Sequence, residues 1–260
     1  GDDQALVLEP LTGELKDGER VWARVDRRAR RATECNHTAT HLLHAALRER
    51  LGTHVRQAGS YVGPDKLRFD FTHGQRLSED ELAAVERLVS GWVTDNHPVR
   101  AIETTRDEAE RLGAMALFGE KYGDWVRMVE VEAVSRELCG GTHVATTGEL
   151  GLFHLVNESS SASNVRRIEA VTGPVSADLF RERTERLDEL ATLLRVPEDA
   201  VVRTVERLSE RVKELERGAG DAPDRALADQ LVEGAGEIGG LRVVGEPLSA
   251  PDAKALLALS

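Results

Sequence analysis

The chain has 260 residues, 46 of them acidic and 34 Lys or Arg, giving a formal net charge of −12. That length suits about two domains of ordinary size, and a composition 40% hydrophobic but only 4% aromatic calls for an aliphatic core. No apolar run approaches the roughly 18 residues of a membrane span, Gly1-Asp2-Asp3 is unlike a signal peptide, and two cysteines cannot build a disulfide framework. A reducing, cytoplasmic setting with no membrane partner is expected. The negative charge opposes broad, non-specific nucleic-acid binding and leaves that work to local basic patches. Arg24, Arg27, Arg28, Arg30 and Arg31 form one such patch, and Arg166-Arg167 a second. These arginines read equally well as solvated partners of the acidic surface.

In chain order, Ala5–Leu8 and Arg20–Asp26 read as short strands around the turn formers Thr12-Gly13 and Asp17-Gly18, a partial, β-barrel-like element over residues 1–32. A helix is expected from about Thr33 to Arg50, stopping at Gly52, with His37, His41, His44 and Arg48 along one face. Leu67, Phe69 and Phe71 alternate with polar residues as a half-buried strand does. Ser78 and Glu81 form a capping-box pattern ahead of a helix that ends near Asn96; a strand follows at Val99–Glu103, and Thr105 with Glu108 opens a short helix ending around Gly113. Val126–Val131, Leu152–Val156 and Val165–Val171 read as further strands. This irregular alternation predicts an α+β fold with a mostly antiparallel sheet over residues 33–173.

After Pro174 strands vanish. Leu179, Leu187, Leu190 and Leu194 mark one amphipathic helix, and Val201, Val205, Leu208, Val212 and Leu215 mark a second with about two heptads, so a helical hairpin is expected over 174–217. Two heptads fit ordinary helix packing better than a coiled coil. Gly218–Asp221 reads as a flexible joint; Leu241–Val244 reads as a strand and Lys254–Leu259 as a helix, the opening of a further, truncated domain over 225–260.

The most informative pattern is a pair of pairs. His37 and His41 are one helical turn apart, so both project from one face, and Cys139 and His143 repeat the spacing across Cys139-Gly140-Gly141-Thr142-His143. Imidazole with thiolate selects zinc over the oxygen-seeking magnesium and calcium. The two glycines are expected to allow a tight turn with positive φ. Thr38 stands where a zinc-protease helix places its general-base Glu, so that protease mechanism lacks its base. Four protein ligands usually close a zinc shell, whereas catalytic zinc keeps a position open; both remain open from sequence. Cys35 reads as a small buried residue; His44, one turn beyond His41, reads as a core residue or a support for the ligands in preference to a spare ligand.

Several ordered blocks resemble the editing domain of the alanyl-tRNA synthetase family: Asn36-His37-Thr38-Ala39-Thr40-His41-Leu42-Leu43-His44, Gln57-Ala58-Gly59-Ser60, Leu67-Arg68-Phe69-Asp70, Ala114 through Tyr122, Cys139 through His143, and Val165 through Gly173. The resemblance implies an α+β editing domain that hydrolyses the ester of tRNA(Ala) mischarged with serine or glycine. It implies zinc on His37, His41, Cys139 and His143, an amino-acid pocket lined by Thr40 and Gln57, and tRNA contacts at Arg166 and Arg167. The part after Gly173 resembles the linker and opening of the family's C-terminal region, which implies tRNA binding and a homodimer in the full-length protein. The related threonyl family shares the metal pattern but is disfavoured by Phe118-Gly119-Glu120-Lys121-Tyr122. A non-catalytic tRNA-binding module with structural zinc and a free-standing editing protein are the competing readings.

Overall fold

The structure is a computed structural model that describes residues 12–14, 16–18, 20–115, 123–221, 233–234 and 236–243. It divides into two compact units, residues 1–181 and residues 182–260. Among the described residues no helix is long and apolar enough to cross a membrane.

The first unit is built around helix α1 (Arg27–Leu51). Asp26 caps it, its carboxylate accepting from the backbone of Arg28 and Ala29 at 2.8 and 3.1 Å. Gly52, at φ 114°, ends it and donates its N–H to Arg48 O. From Cys35 to Leu47 nearly every side chain of α1 is buried, polar ones included. The helix is therefore surrounded rather than laid on a surface, and the polar groups it buries must find partners inside the protein.

Those surroundings are an antiparallel sheet in the order β1 (Gln57–Val62), β2 (Leu67–Thr72), β7 (Val165–Thr172), β6 (Phe153–Ala162), and helix α2 (Glu79–Asp95). Leu67, Phe69 and Phe71 of β2 and Ile168 and Ala170 of β7 meet Leu42, Leu43, Ala46 and Leu47 of α1 and Val85 and Val89 of α2 in one aliphatic core. Each such fully buried large side chain contributes about 1.5–3 kcal/mol. Asn36 ties the layers together: its amide donates to Gly63 O at 2.8 Å, and its carbonyl oxygen accepts from the Thr172 hydroxyl at 2.8 Å. The α2 start is the expected reciprocal capping box of Ser78 and Glu81, and Asn96, left-handed at φ 57°, ends the helix.

A second antiparallel sheet has the order β3 (Val99–Thr105), β4 (Trp125–Val131), β5 (Ser135–Leu138). Helix α3 (Arg106–Arg111), capped by Thr105, packs Ala109 against Val126, Met128 and Leu138. The α+β architecture with antiparallel pairing is the one expected. Strands β1 and β5 were not expected. Neither shows clean alternation, because Gln57-Ala58-Gly59-Ser60 is small and polar and Ser135–Leu138 is only four residues long.

Residues 20–26 correct the sequence reading. They form no strand, and Val21, Trp22 and Val25 are exposed. A strand needs a neighbour to take its N–H and C=O groups, and among the described residues none is there and no barrel forms. Ala5–Leu8 lies outside the described residues. Helix α1 starts at Arg27, ahead of the expected Thr33, because Asp26 supplies the cap.

Helix α4 (Gly173–Leu194) leaves the first unit and runs into the second, where a turn through Arg195, left-handed at φ 54°, leads by a 3-10 turn at Glu198–Ala200 to α5 (Val201–Asp221). Along α5, Val201 is buried, whereas Val205, Leu208, Val212 and Leu215 are 45% to 58% exposed. The joint expected at Gly218–Asp221 is instead the last turn of α5. Strands β8 (Gly236–Ile238) and β9 (Leu241–Val243) form a hairpin; the helix expected at Lys254–Leu259 lies outside the described residues.

Candidate metal centre

His37 and His41 project from α1, and the chain returns to them through β5, whose last residue Leu138 is followed at once by Cys139. One ligand atom from each of His37, His41, Cys139 and His143 lies within 4.8 Å of the others. Cys139 Sγ is 3.4 Å from His37 Nε2 and 3.4 Å from His143 Nε2. Sulfur and nitrogen sharing a tetrahedral zinc stand about 3.5 Å apart, given bonds of about 2.3 and 2.0 Å. His41 Nε2 is buried and has no hydrogen-bond partner. An orphaned buried nitrogen beside a thiol and two further imidazoles fits a bound cation with nitrogen and sulfur ligands.

The turn carrying the second pair is held from below. Arg127 of β4 donates to the carbonyls of Cys139 and Gly141 at 2.7 and 2.8 Å, and the Cys139 N–H donates to Arg127 O at 3.0 Å. The expected positive φ is absent at both Gly140 and Gly141. The need for glycine at 141 is steric instead: a Cβ there would lie 2.0 Å from His37 Cε1 and 2.5 Å from its Nδ1. At Gly140 a Cβ would meet nothing within 4 Å.

Two of the imidazoles are oriented through their other nitrogen. His41 Nδ1 lies 2.7 Å from the Glu137 carboxylate, and His143 Nδ1 lies 3.2 Å from the Thr38 hydroxyl. That hydroxyl donates to Glu34 O at 3.0 Å, so it accepts from His143 and from the Val144 N–H. Each imidazole therefore turns Nε2 toward the centre.

The electrostatics prepare the same ligands. Burial opposes ionisation of Cys139, but contacts from His143, His37 and His41 outweigh it and hold the thiol down at about 3, so sulfur is present as thiolate. Burial pushes His143 down to about 4, leaving a neutral imidazole. For His41 burial is outweighed by Glu137, which favours the charged ring, while His41 and His44 hold the Glu137 carboxyl below its usual range despite its burial. Were His41 Nε2 to hold a cation it would give up its proton there, and the Glu137 charge would remain to receive Nδ1–H.

The other expected site residues are placed less uniformly. Thr40 is buried on the α1 face shared with His37, His41 and His44, and its hydroxyl donates to Asn36 O at 2.8 Å. Gln57, half-buried, opens β1 at an irregularity in the pairing with β2, where bulges re-aim side chains, and donates to Ser60 Oγ at 3.2 Å. Arg166 donates to Glu158 at 2.6 Å, and Arg167 forms a two-pronged pair with Asp70 at 2.7 and 2.8 Å. Both guanidinium groups thus have carboxylate partners already. Phe118 through Tyr122 lies outside the described residues. Cys35 is buried, as expected, with its thiol pushed up by that burial.

Sequence reasoning missed Glu137, Arg127 and the positive role of Thr38. Glu137 stands two residues before Cys139, so a ligand-adjacent carboxylate was visible. Its direction depended on a strand, β5, that the local pattern did not reveal.

Residues 126–169, which include Cys139 and His143, match the family described as "Threonyl and Alanyl tRNA synthetase second additional domain". The alanine-tRNA ligase of Halorhodospira halophila is 51% identical over 235 residues, covering 89% of this chain and 27% of the relative. That of Thermotoga petrophila is 50% identical over 231 residues, covering 88% and 27%, and that of Xanthomonas campestris pv. campestris is 47% identical over 248 residues, covering 94% and 28%. The chain spans about a quarter of the length of these curated relatives. Over most of its length, then, the chain is homologous to the alanine-tRNA ligases, and it carries the second additional domain of the threonyl and alanyl tRNA synthetases.

Proposed function

We propose that the chain is the editing portion of an alanyl-tRNA synthetase, a cytoplasmic aminoacyl-tRNA deacylase that uses zinc to hydrolyse tRNA(Ala) mischarged with serine or glycine. The observation that carries this reading is the convergence of His37, His41, Cys139 and His143, with a buried, unpartnered His41 Nε2 among them. These four residues would hold the ion. When bound, zinc supplies Lewis acidity toward a carbonyl or a water.

The chemistry needs little more from the protein. An aminoacyl ester is already reactive, so positioning a water and polarising the carbonyl carry most of the work, and no covalent intermediate on the protein is needed. An activation pocket built for alanine rejects an added hydroxyl poorly, so a second site must recognise that hydroxyl. Thr40, whose own proton is committed to Asn36 O, offers its lone pairs to a seryl hydroxyl. Gln57, at the irregular start of β1, is the second polar group assigned to that pocket. Alanine offers neither group a partner in the pocket. Arg166 and Arg167 retain guanidinium N–H groups beyond those given to Glu158 and Asp70, and these are assigned to the tRNA backbone.

Purified protein is expected to deacylate Ser-tRNA(Ala), to spare Ala-tRNA(Ala), and to lose the activity with Cys139→Ala. Equal rates on the two substrates refute the reading. One observation favours a second reading, a non-catalytic tRNA-binding module with structural zinc: four protein donors complete a tetrahedral shell. That reading predicts tRNA binding without turnover.

A further inference from the structure

Glu137 is 2% exposed, on β5, with its carboxylate between two imidazoles of α1. His41 Nδ1 is 2.7 Å from Oε2, and His44 Nδ1 is 3.0 Å from Oε1. An ionised carboxylate only accepts hydrogen bonds, so each ring presents Nδ1–H to it, and in the neutral ring the lone pair is then on Nε2. Both Nε2 atoms are buried without a hydrogen-bond partner. They differ in what surrounds them: His41 belongs to the ligand cluster, while His44 is outside it and its ring packs against Phe69 at 5.3 Å between centroids.

We infer that Glu137 and His44 form a positioning pair for the metal ligand His41, in which His44 pins the carboxylate and the carboxylate fixes the tautomer and ring plane of His41. The inference rests on the metal reading given under Proposed function. Its physical basis is the scarcity of alternatives inside the core. A lone buried carboxylate is costly, and with one oxygen left unpartnered it would turn toward whatever donor it could find. His44 occupies that second oxygen from the same helix, three residues from His41, so the carboxylate has one orientation left. Oε2 is then aimed at His41 Nδ1, so the neutral ring carries its one proton on Nδ1 and offers the Nε2 lone pair to a cation.

A purely structural salt link between β5 and α1 would share these contacts, and metal affinity separates the two. Zinc is stripped from the purified protein, and Zn(II) and Co(II) are titrated back against a competing chelator. The proteins are wild type, Glu137→Gln, His44→Phe and His44→Asn, with thermal melting of each metal-free protein run alongside. Glutamine offers one acceptor and one donor and cannot receive both Nδ1–H groups, so Glu137→Gln is expected to bind zinc about 10–100-fold more weakly. The thiolate-to-cobalt absorption should shift with it. His44→Phe is expected to weaken binding in the same range, and His44→Asn, whose amide N–H can replace Nδ1–H, to recover most of the loss. Zinc affinities for Glu137→Gln and His44→Phe within about threefold of wild type overturn the inference, even if their metal-free melting points fall, because positioning of a ligand is worth at least about tenfold. If Glu137→Gln does not fold, the two His44 variants decide by the same criterion. A wild-type protein that binds neither ion overturns the metal reading itself, a result distinct from intact wild-type binding with insensitive variants.

Discussion

Replacing Gly141 with alanine should separate metal binding from folding. The new Cβ would lie 2.0 Å from His37 Cε1 and 2.5 Å from Nδ1, so the ring must retreat by more than about 1 Å to reach ordinary van der Waals contact. Ligand bonds tolerate only about 0.2 Å, so His37 is lost as a ligand or the turn carrying Cys139 and His143 is displaced. The affinity loss should reach at least the upper end of what an orienting residue commands, about 100-fold. At fixed, saturating zinc this removes about 2.7 kcal/mol of linked stability, or about 5–11 °C in melting temperature for a unit of this size. The assay is thermal melting followed by circular dichroism, with zinc and with excess chelator. In chelator the variant should melt close to wild type, because His37 is only half-buried and free to turn away. A variant that keeps the full zinc-dependent gain would refute the steric argument and the assignment of His37 to the ion.

Thr38→Val keeps the shape of the side chain but removes the acceptor for His143 Nδ1 and the Val144 N–H; zinc affinity, measured by chelator competition, should fall about tenfold. Arg166→Ala leaves Glu158, 3% exposed in its side chain, without its closest cation, and urea unfolding should show a loss of about 3 kcal/mol. Arg76→Ala, whose side chain is 83% exposed at 3.8 Å from the same carboxylate, should cost less than about 1 kcal/mol. Leu43→Ala opens a cavity in the fully buried core between α1 and the sheet and should lower the same unfolding free energy by about 2–5 kcal/mol. Any measured tRNA affinity of Arg166 variants should therefore be read only at temperatures where the variant is folded.

Local sequence was sufficient where structure is locally caused. Ser78 and Glu81 announce the start of α2, Gly52 stops α1, and Leu67, Phe69 and Phe71 expose their alternation, because caps, left-handed stops and the two-residue period act within a few residues. It was insufficient where an element exists only through its neighbours. Strand β5 is four residues long and is held by β4, and Arg20–Asp26, apolar enough for a strand, has none to pair with among the described residues. Of the two glycines of the second ligand turn only Gly141 is required, and not for the expected positive φ: the constraint is the approach of His37 from about a hundred residues away.

The sequence by itself determined the donor chemistry: two imidazoles at helical spacing, a thiol and an imidazole at the same spacing, and the absence at Thr38 of a protease base. Residue identity and short-range geometry decide those, and both are written along the chain. Only the tertiary structure decided that the two pairs meet, that Thr38 and Glu137 orient His143 and His41, and that Arg166 and Arg167 already answer buried or half-buried carboxylates. Contacts of that kind join residues far apart in sequence, and what brings them together is the shared burial of α1 between the sheet and α2, a property of the packed core rather than of any one segment.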